Sequence, residues 1–138
     1  MWHNFSPSWY MKKTLLFLLL PFMLSALNAK ADIFDDVLNA LKAGNAKQLS
    51  TYFNNSVELT VPGSEGVYSK QQAEIILKSF FVQNPSANVI RQHDGASAQG
   101  AKYAIAVYES TLSTFRAYIF MKDSGSGFKI HELRFEKQ

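Results

Sequence analysis

Beyond the first 31 residues, the side chains able to exchange a proton near neutral pH are His93 and His131. A catalytic use of His131 would pair it with Tyr118 or with its neighbour Glu132. His93 stands beside Asp94-Gly95 and reads as a surface residue next to a turn. Arg116 and Arg134 carry the forked donors that clamp an anion in two places, but Glu109, Glu132 and Glu136 are on hand as ordinary cross-strand partners. The chain has no cysteine, which excludes disulfides, thiolate nucleophiles and sulfur-bound metals. Paired-histidine, calcium-loop, phosphate-loop, nucleophile-elbow and dinucleotide-fold patterns are all missing from the sequence. The residues therefore offer no recognisable catalytic dyad and point to no metal or cofactor.

The elements that must position these groups follow from periodicity. Ile33, Phe34, Val37, Leu38 and Leu41 recur at helical spacing behind a capping Asp32, and Gly44 supplies the stop. Asn45 can cap a second short helix with Leu49, Tyr52 and Phe53 on its apolar side. Val57, Leu59 and Val61 alternate with polar residues as a strand that Pro62-Gly63 ends, and a short extended piece spans Gly66 to Tyr68. Ser69 and Gln72 form a capping-box pattern for a third helix with Ala73, Ile76, Leu77, Phe80 and Phe81 on one face, and Asn84-Pro85 stops it. Strands are then expected over 88–93, 102–110, 114–122 and 128–135, with turns at Asp94-Gly95 and at 123–127. Helices first and an antiparallel meander afterwards predict one α+β domain over 32–138, with three N-terminal helices on one face of a curved sheet.

The first 31 residues read differently. Met11-Lys12-Lys13 followed by the apolar stretch from Leu15 to Leu27 matches a secretory leader, and Ala29-Lys30-Ala31 offers the small-x-small cleavage pattern, which makes Asp32 the first mature residue. The apolar run is too short to span a membrane comfortably, so no integral span is expected after cleavage. Residues 1–10 carry no targeting logic and suggest that Met11 is the true start. The expected address is the periplasm or the extracellular space. Of the fourteen Lys and Arg, Lys12, Lys13 and Lys30 leave with the leader, so eleven face eleven Asp and Glu. A neutral domain without a basic cluster argues against nucleic acid as a partner.

The order of elements resembles the nuclear transport factor 2-like superfamily, the cystatin-like cone that includes ketosteroid isomerase. Lys42-Ala43-Gly44-Asn45, Val57 to Gly63 and Gly66 to Lys70 carry the resemblance. More narrowly, Val57 to Ser69 and the ending Glu132-Leu133-Arg134-Phe135-Glu136 look like a family of exported bacterial proteins known only as a domain of unknown function. The resemblance implies a fold and an address but no activity. It also implies where isomerase chemistry would sit: the general base falls at Val61 and the oxyanion tyrosine at Val37, and the third position lands near Tyr118. Valine neither abstracts a proton nor donates a hydrogen bond, so the enzyme reading is disfavoured.

By analogy with the cone, Tyr103, Tyr118, Phe120, His131, Leu133 and Phe135 are expected to point inward. Tyr103, Arg116, Tyr118, Phe120 and His131 would then line a pocket for a small apolar or amphipathic ligand, and the competing reading is a filled core. The opposite row of that strand, Phe115, Ile119 and Met121 around Ala117, would lie outside as a homodimer interface. The reading that follows is a non-catalytic exported module that binds a small ligand or an envelope protein. A pocket enzyme of dehydratase or isomerase type, using Tyr118 and His131, is the alternative.

Overall fold

A computed structural model describes residues 32–97 and 99–138. The expected leader and its cleavage site lie outside the described residues. Helix α1 (Ile33–Ala43) begins at Asp32, whose side chain accepts the Phe34 amide at 3.2 Å, and ends at Gly44, whose φ of 61° is the left-handed conformation a glycine cap supplies without strain. Helix α2 (Ala46–Ser50) is capped by Asn45. Strands β1 (Phe53–Val61) and β2 (Ser64–Ser69) form a hairpin leading into α3 (Lys70–Gln83). Both bonds of the Ser69–Gln72 capping box are present, at 3.2 and 3.1 Å. Four strands complete the chain: β3 (Ser86–Ala96), β4 (Lys102–Ser110), β5 (Thr114–Asp123) and β6 (Phe128–Lys137).

The six strands form one sheet in the order β2-β1-β6-β5-β4-β3, antiparallel throughout except where β1 runs parallel to β6. α1 packs over β3, and α3 packs over β1 and β2, so the helices cover one face of a curved, mainly antiparallel sheet. This is the α+β cone of the nuclear transport factor 2-like and cystatin-like folds.

Two boundaries differ from the sequence expectation. α2 stops at Ser50, and Phe53 opens β1, because the β6 ladder claims this segment: Phe53 pairs with Ile130, and the Ile130 amide donates to the Tyr52 carbonyl at 2.7 Å. Asp94-Gly95 is not a turn. β3 runs through it to Ala96, with Asp94 opposite Ala104 and Gly95 opposite Tyr103.

The facing of the sheet is the reverse of the expectation. Phe115, Ala117, Ile119 and Met121 are 0–2% exposed and belong to the core beneath the helices, with Ala104, Ala106, Tyr108, Leu133 and Phe135. The row Phe115, Ile119 and Met121 is thus unavailable as a dimer interface. Tyr103, Arg116, Tyr118, Phe120 and His131 lie on the other, helix-free face and line no interior pocket. The physical reason is visible in the side chains: the core row has no polar atom to satisfy beyond the backbone, whereas the other row ends in hydroxyl, guanidinium and ammonium groups that need water or partners. Leu133 and Phe135 do point inward, but His131 does not share their face. Phe120 pairs with Glu132 and Met121 with Ile130, so β6 holds one extra residue at His131. This β-bulge breaks the strict alternation, with Ile130 in the core and His131 half-buried on the outer side.

Candidate functional site

Inside the cone, aromatic rings occupy the space between α3 and the sheet. Phe80 lies at the centre, with ring centroids 4.6 Å from Phe135, 5.2 Å from Phe115 and 5.7 Å from Tyr108. The Tyr108 hydroxyl donates to the Asn84 carbonyl at 2.6 Å. Burial pushes this hydroxyl up to about 12, and the neighbouring Ser86 hydroxyl offsets a smaller part of the shift. Val37 and Val61, where the isomerase resemblance would put an oxyanion donor and a base, are core residues. Neither side chain offers an acid–base group or a hydrogen-bond donor.

The helix-free face brings the sequence-predicted residues together in another way. On β4 and β5, Tyr103 and Tyr118 lie diagonally across the ladder with centroids 6.4 Å apart and planes 27° from parallel. Gly95 on β3 permits the position of Tyr103, because a Cβ there would stand 2.8 Å from the ring. His93 Nε2 is 2.9 Å from the Tyr103 hydroxyl. Expected as a bystander at a turn, His93 is instead part of the array, since the strand continues past it. Ile105 lies opposite Tyr118 and Val107 opposite Arg116, and Ile90 on β3, opposite Val107, is 45% exposed. The result is an apolar and aromatic stripe, Ile90–Val107–Ile105–Tyr103–Tyr118–Phe120, crossing three adjacent strands. Alternation alone reveals Ile105 and Val107, but only the facing shows what they join.

Charges edge this stripe. The Arg134 guanidinium lies 5.8 Å from the Tyr118 ring centroid, is hydrogen-bonded to Glu132 and reaches Glu136 at 3.5 Å. Nearby Glu132 is the largest influence holding the Arg134 pKa above its ordinary value. Desolvation, then the Glu132 carboxylate, pushes the Tyr118 hydroxyl upward, while Arg134 opposes them. Lys122 Nζ sits 5.5 Å from the Phe120 centroid. Arg116 faces Glu136 in register but makes no ion pair among the described residues.

His131 is placed apart from this array. Its Nε2 is buried and has no partner among the described residues, and desolvation, helped by the Lys122 charge, lowers its pKa. Tyr118 pairs with Arg134, three residues along β6 from His131 and so roughly 10 Å away along the strand. The two residues are not brought to hydrogen-bond distance, and no acid–base couple forms between them. A shallow cleft of about 270 Å³ beside His131 is lined by Glu58, Phe120, Lys122 and Glu132. Among the described residues no cluster of His, Cys, Asp and Glu could hold a metal ion.

Known proteins agree with this architecture. A crystal structure of a DUF4783 family protein from Bacteroides ovatus superposes with a TM-score of 0.70 at 27% identity, covering 75% of this chain and 93% of that one. A second, from Bacteroides uniformis, gives 0.72 at 22% identity over 78% and 98% of the two chains. A domain of unknown function with a cystatin-like fold from Nostoc punctiforme shares the fold at 10% identity, with a TM-score of 0.59 over 76% of this chain and 72% of that one. No curated protein matches the chain. The model for the family described as domain of unknown function (DUF4783) matches residues 34–136, from the first turn of α1 to the end of β6, and the protein belongs to that family.

Proposed function

We propose that this protein is a non-catalytic exported interaction module whose working surface is the helix-free face of its sheet, and that a second copy of the chain covers that face. The observation that carries the reading is the stripe Ile90–Val107–Ile105–Tyr103–Tyr118–Phe120, which lies opposite an interior already filled by Phe80, Tyr108, Phe115 and Phe135. A half-covered apolar band on a sheet with no helix above it gains by burial against a partner. Charges of both signs flank the band, with Arg116 and Lys122 on β5 and Glu58 and Glu132 on β1 and β6. Such a face is complementary to itself, and one two-fold axis covers it on both subunits. The expected homodimer thus rests on the face opposite to the row that strand alternation first suggested.

The secretory pattern before Asp32 supports an envelope or extracellular setting for this role. Sedimentation velocity at micromolar concentration tests the reading. A two-subunit species that becomes a folded monomer on Tyr118→Glu is the expected result. A wild-type monomer overturns self-association, and turnover of a substrate that Tyr118→Phe or His131→Ala abolishes overturns the non-catalytic reading.

A further inference from the structure

β6 contains one residue that neither neighbouring strand claims. On the β5 side the register steps from Phe120–Glu132 to Met121–Ile130, and on the β1 side from Glu58–Glu132 to Phe53–Ile130, so His131 has no pairing partner in either ladder. β1 passes this point with residues 54–57, and the cleft of about 270 Å³ lies at the break. Bulges of this kind re-aim a side chain. His131 lines the cleft, and its Nε2 is shielded from water without a hydrogen-bond partner among the described residues. Such a nitrogen calls for a partner that the chain does not supply.

The cleft also carries one free charge of each sign. Val67, Glu58, Glu132 and Phe120 form a row across β2, β1, β6 and β5. Glu132 is held by Arg134, but Glu58 on one side of β6 and Lys122 on the other make no ion pair among the described residues. The backbones of β1 and β5 are two strand spacings, about 10 Å, apart, and both side chains are long enough to meet a small molecule held between them. The row ends in apolar groups, Phe120 and the 71% exposed Val67. Desolvation and the Lys122 charge hold the imidazole toward its neutral form, so His131 adds no second cation. A ligand with a net charge of either sign would leave Glu58 or Lys122 unmatched.

We infer that this cleft binds a small apolar α-amino acid as its zwitterion: the ammonium on Glu58, the carboxylate on Lys122 and the His131 ring, and the side chain against Phe120 and Val67. The cleft lies beyond the Phe120 end of the apolar stripe, and the assignment does not rest on a second copy of the chain.

The test is a titration with L-leucine, isoamylammonium and isocaproate, which share a carbon skeleton and differ in their charged ends, following backbone amide shifts. Leucine is expected to move the amides of 56–58, 120–122 and 131–132, with each single-charge analogue at least about fivefold weaker. Glu58→Gln should weaken leucine and leave isocaproate unchanged, whereas Lys122→Gln should weaken leucine and leave isoamylammonium unchanged. His131→Phe should weaken leucine and isocaproate together. Ile105→Glu changes the stripe and not the cleft, and should bind leucine as the wild type does, so that a failure of self-association leaves this assignment standing. Equal affinity for the three compounds, a leucine affinity unchanged by Glu58→Gln and Lys122→Gln in the folded protein, or no shifts at these amides would each overturn it.

Discussion

The hydroxyl of Tyr108, on β4, donates to the backbone carbonyl of Asn84 at 2.6 Å and so fastens the end of α3 to the sheet. The bond reaches across the core at the point where Pro85 turns the chain from helix into β3. Tyr108 is fully buried, with its ring against Phe80 and Phe81. Tyr108→Phe keeps the ring and removes the donor, leaving a carbonyl short of its partner. A loss of about 1–2 kcal/mol in urea unfolding is expected, with the slope of the transition unchanged. Burial of the same hydroxyl sets an alkaline limit. The folded-state value is raised from the ordinary 10 to about 12 by burial, so below pH 10 both folded and unfolded chains keep the proton and the contribution is complete. Between pH 10 and about 12 the unfolded chain ionises first, and stability falls as pH rises. Tyr108→Phe should flatten that part of the pH profile, and an unchanged profile would show that another group governs it.

Gly95 and Tyr103 provide a way to disturb the sheet face without disturbing the core. A Cβ on residue 95 would meet the outer end of the Tyr103 ring, which can swing toward solvent. Gly95→Ala should therefore cost less than about 1 kcal/mol of stability. The displaced ring would give up its contacts with His93 and Tyr118. The expected result is a normal thermal midpoint together with weakened self-association in sedimentation. A variant that unfolds early would instead make Gly95 a support of the fold, and one that associates normally would remove Tyr103 from the interface.

Much of the architecture was legible from local signals. The α1 stop at Gly44, the Ser69–Gln72 box and the β4 span follow from cap chemistry and period, because each depends on neighbours in sequence. The end of α2 was not legible, since Phe53 is claimed by Ile130 in a parallel ladder with a strand more than seventy residues away. Asp94-Gly95 carries a turn signature that ladder pairing with the next strand, β4, overrides. The candidate site shows the same division. That Tyr103, Tyr118, Phe120 and Arg116 share a face follows from a period of two, but period does not say which face the helices cover. β5 is apolar on one side and aromatic on the other, so either could pass for a core. The bulge at His131 was invisible, because a single inserted residue leaves no mark in composition.

The two neighbouring residues Ile105 and Ile119 separate the faces experimentally. Ile119 is fully buried opposite Ala104 and Leu133, beneath the helices. Ile105, in the adjacent strand, is only partly covered and faces outward opposite Tyr118. A carboxylate at position 119 would be buried without a partner, so Ile119→Asp should cost at least about 4 kcal/mol and prevent folding under ordinary conditions. Ile105→Glu places the same kind of charge on the open face. It should cost little stability, give a circular dichroism spectrum like that of the wild type, and convert the two-subunit species to a monomer. The pair checks itself: if Ile119→Asp folds and only loses association while Ile105→Glu unfolds, the helices lie on the other side of the sheet and the proposed interface is wrong. If both variants fold and associate as the wild type does, the sheet face is not where the protein meets its partner.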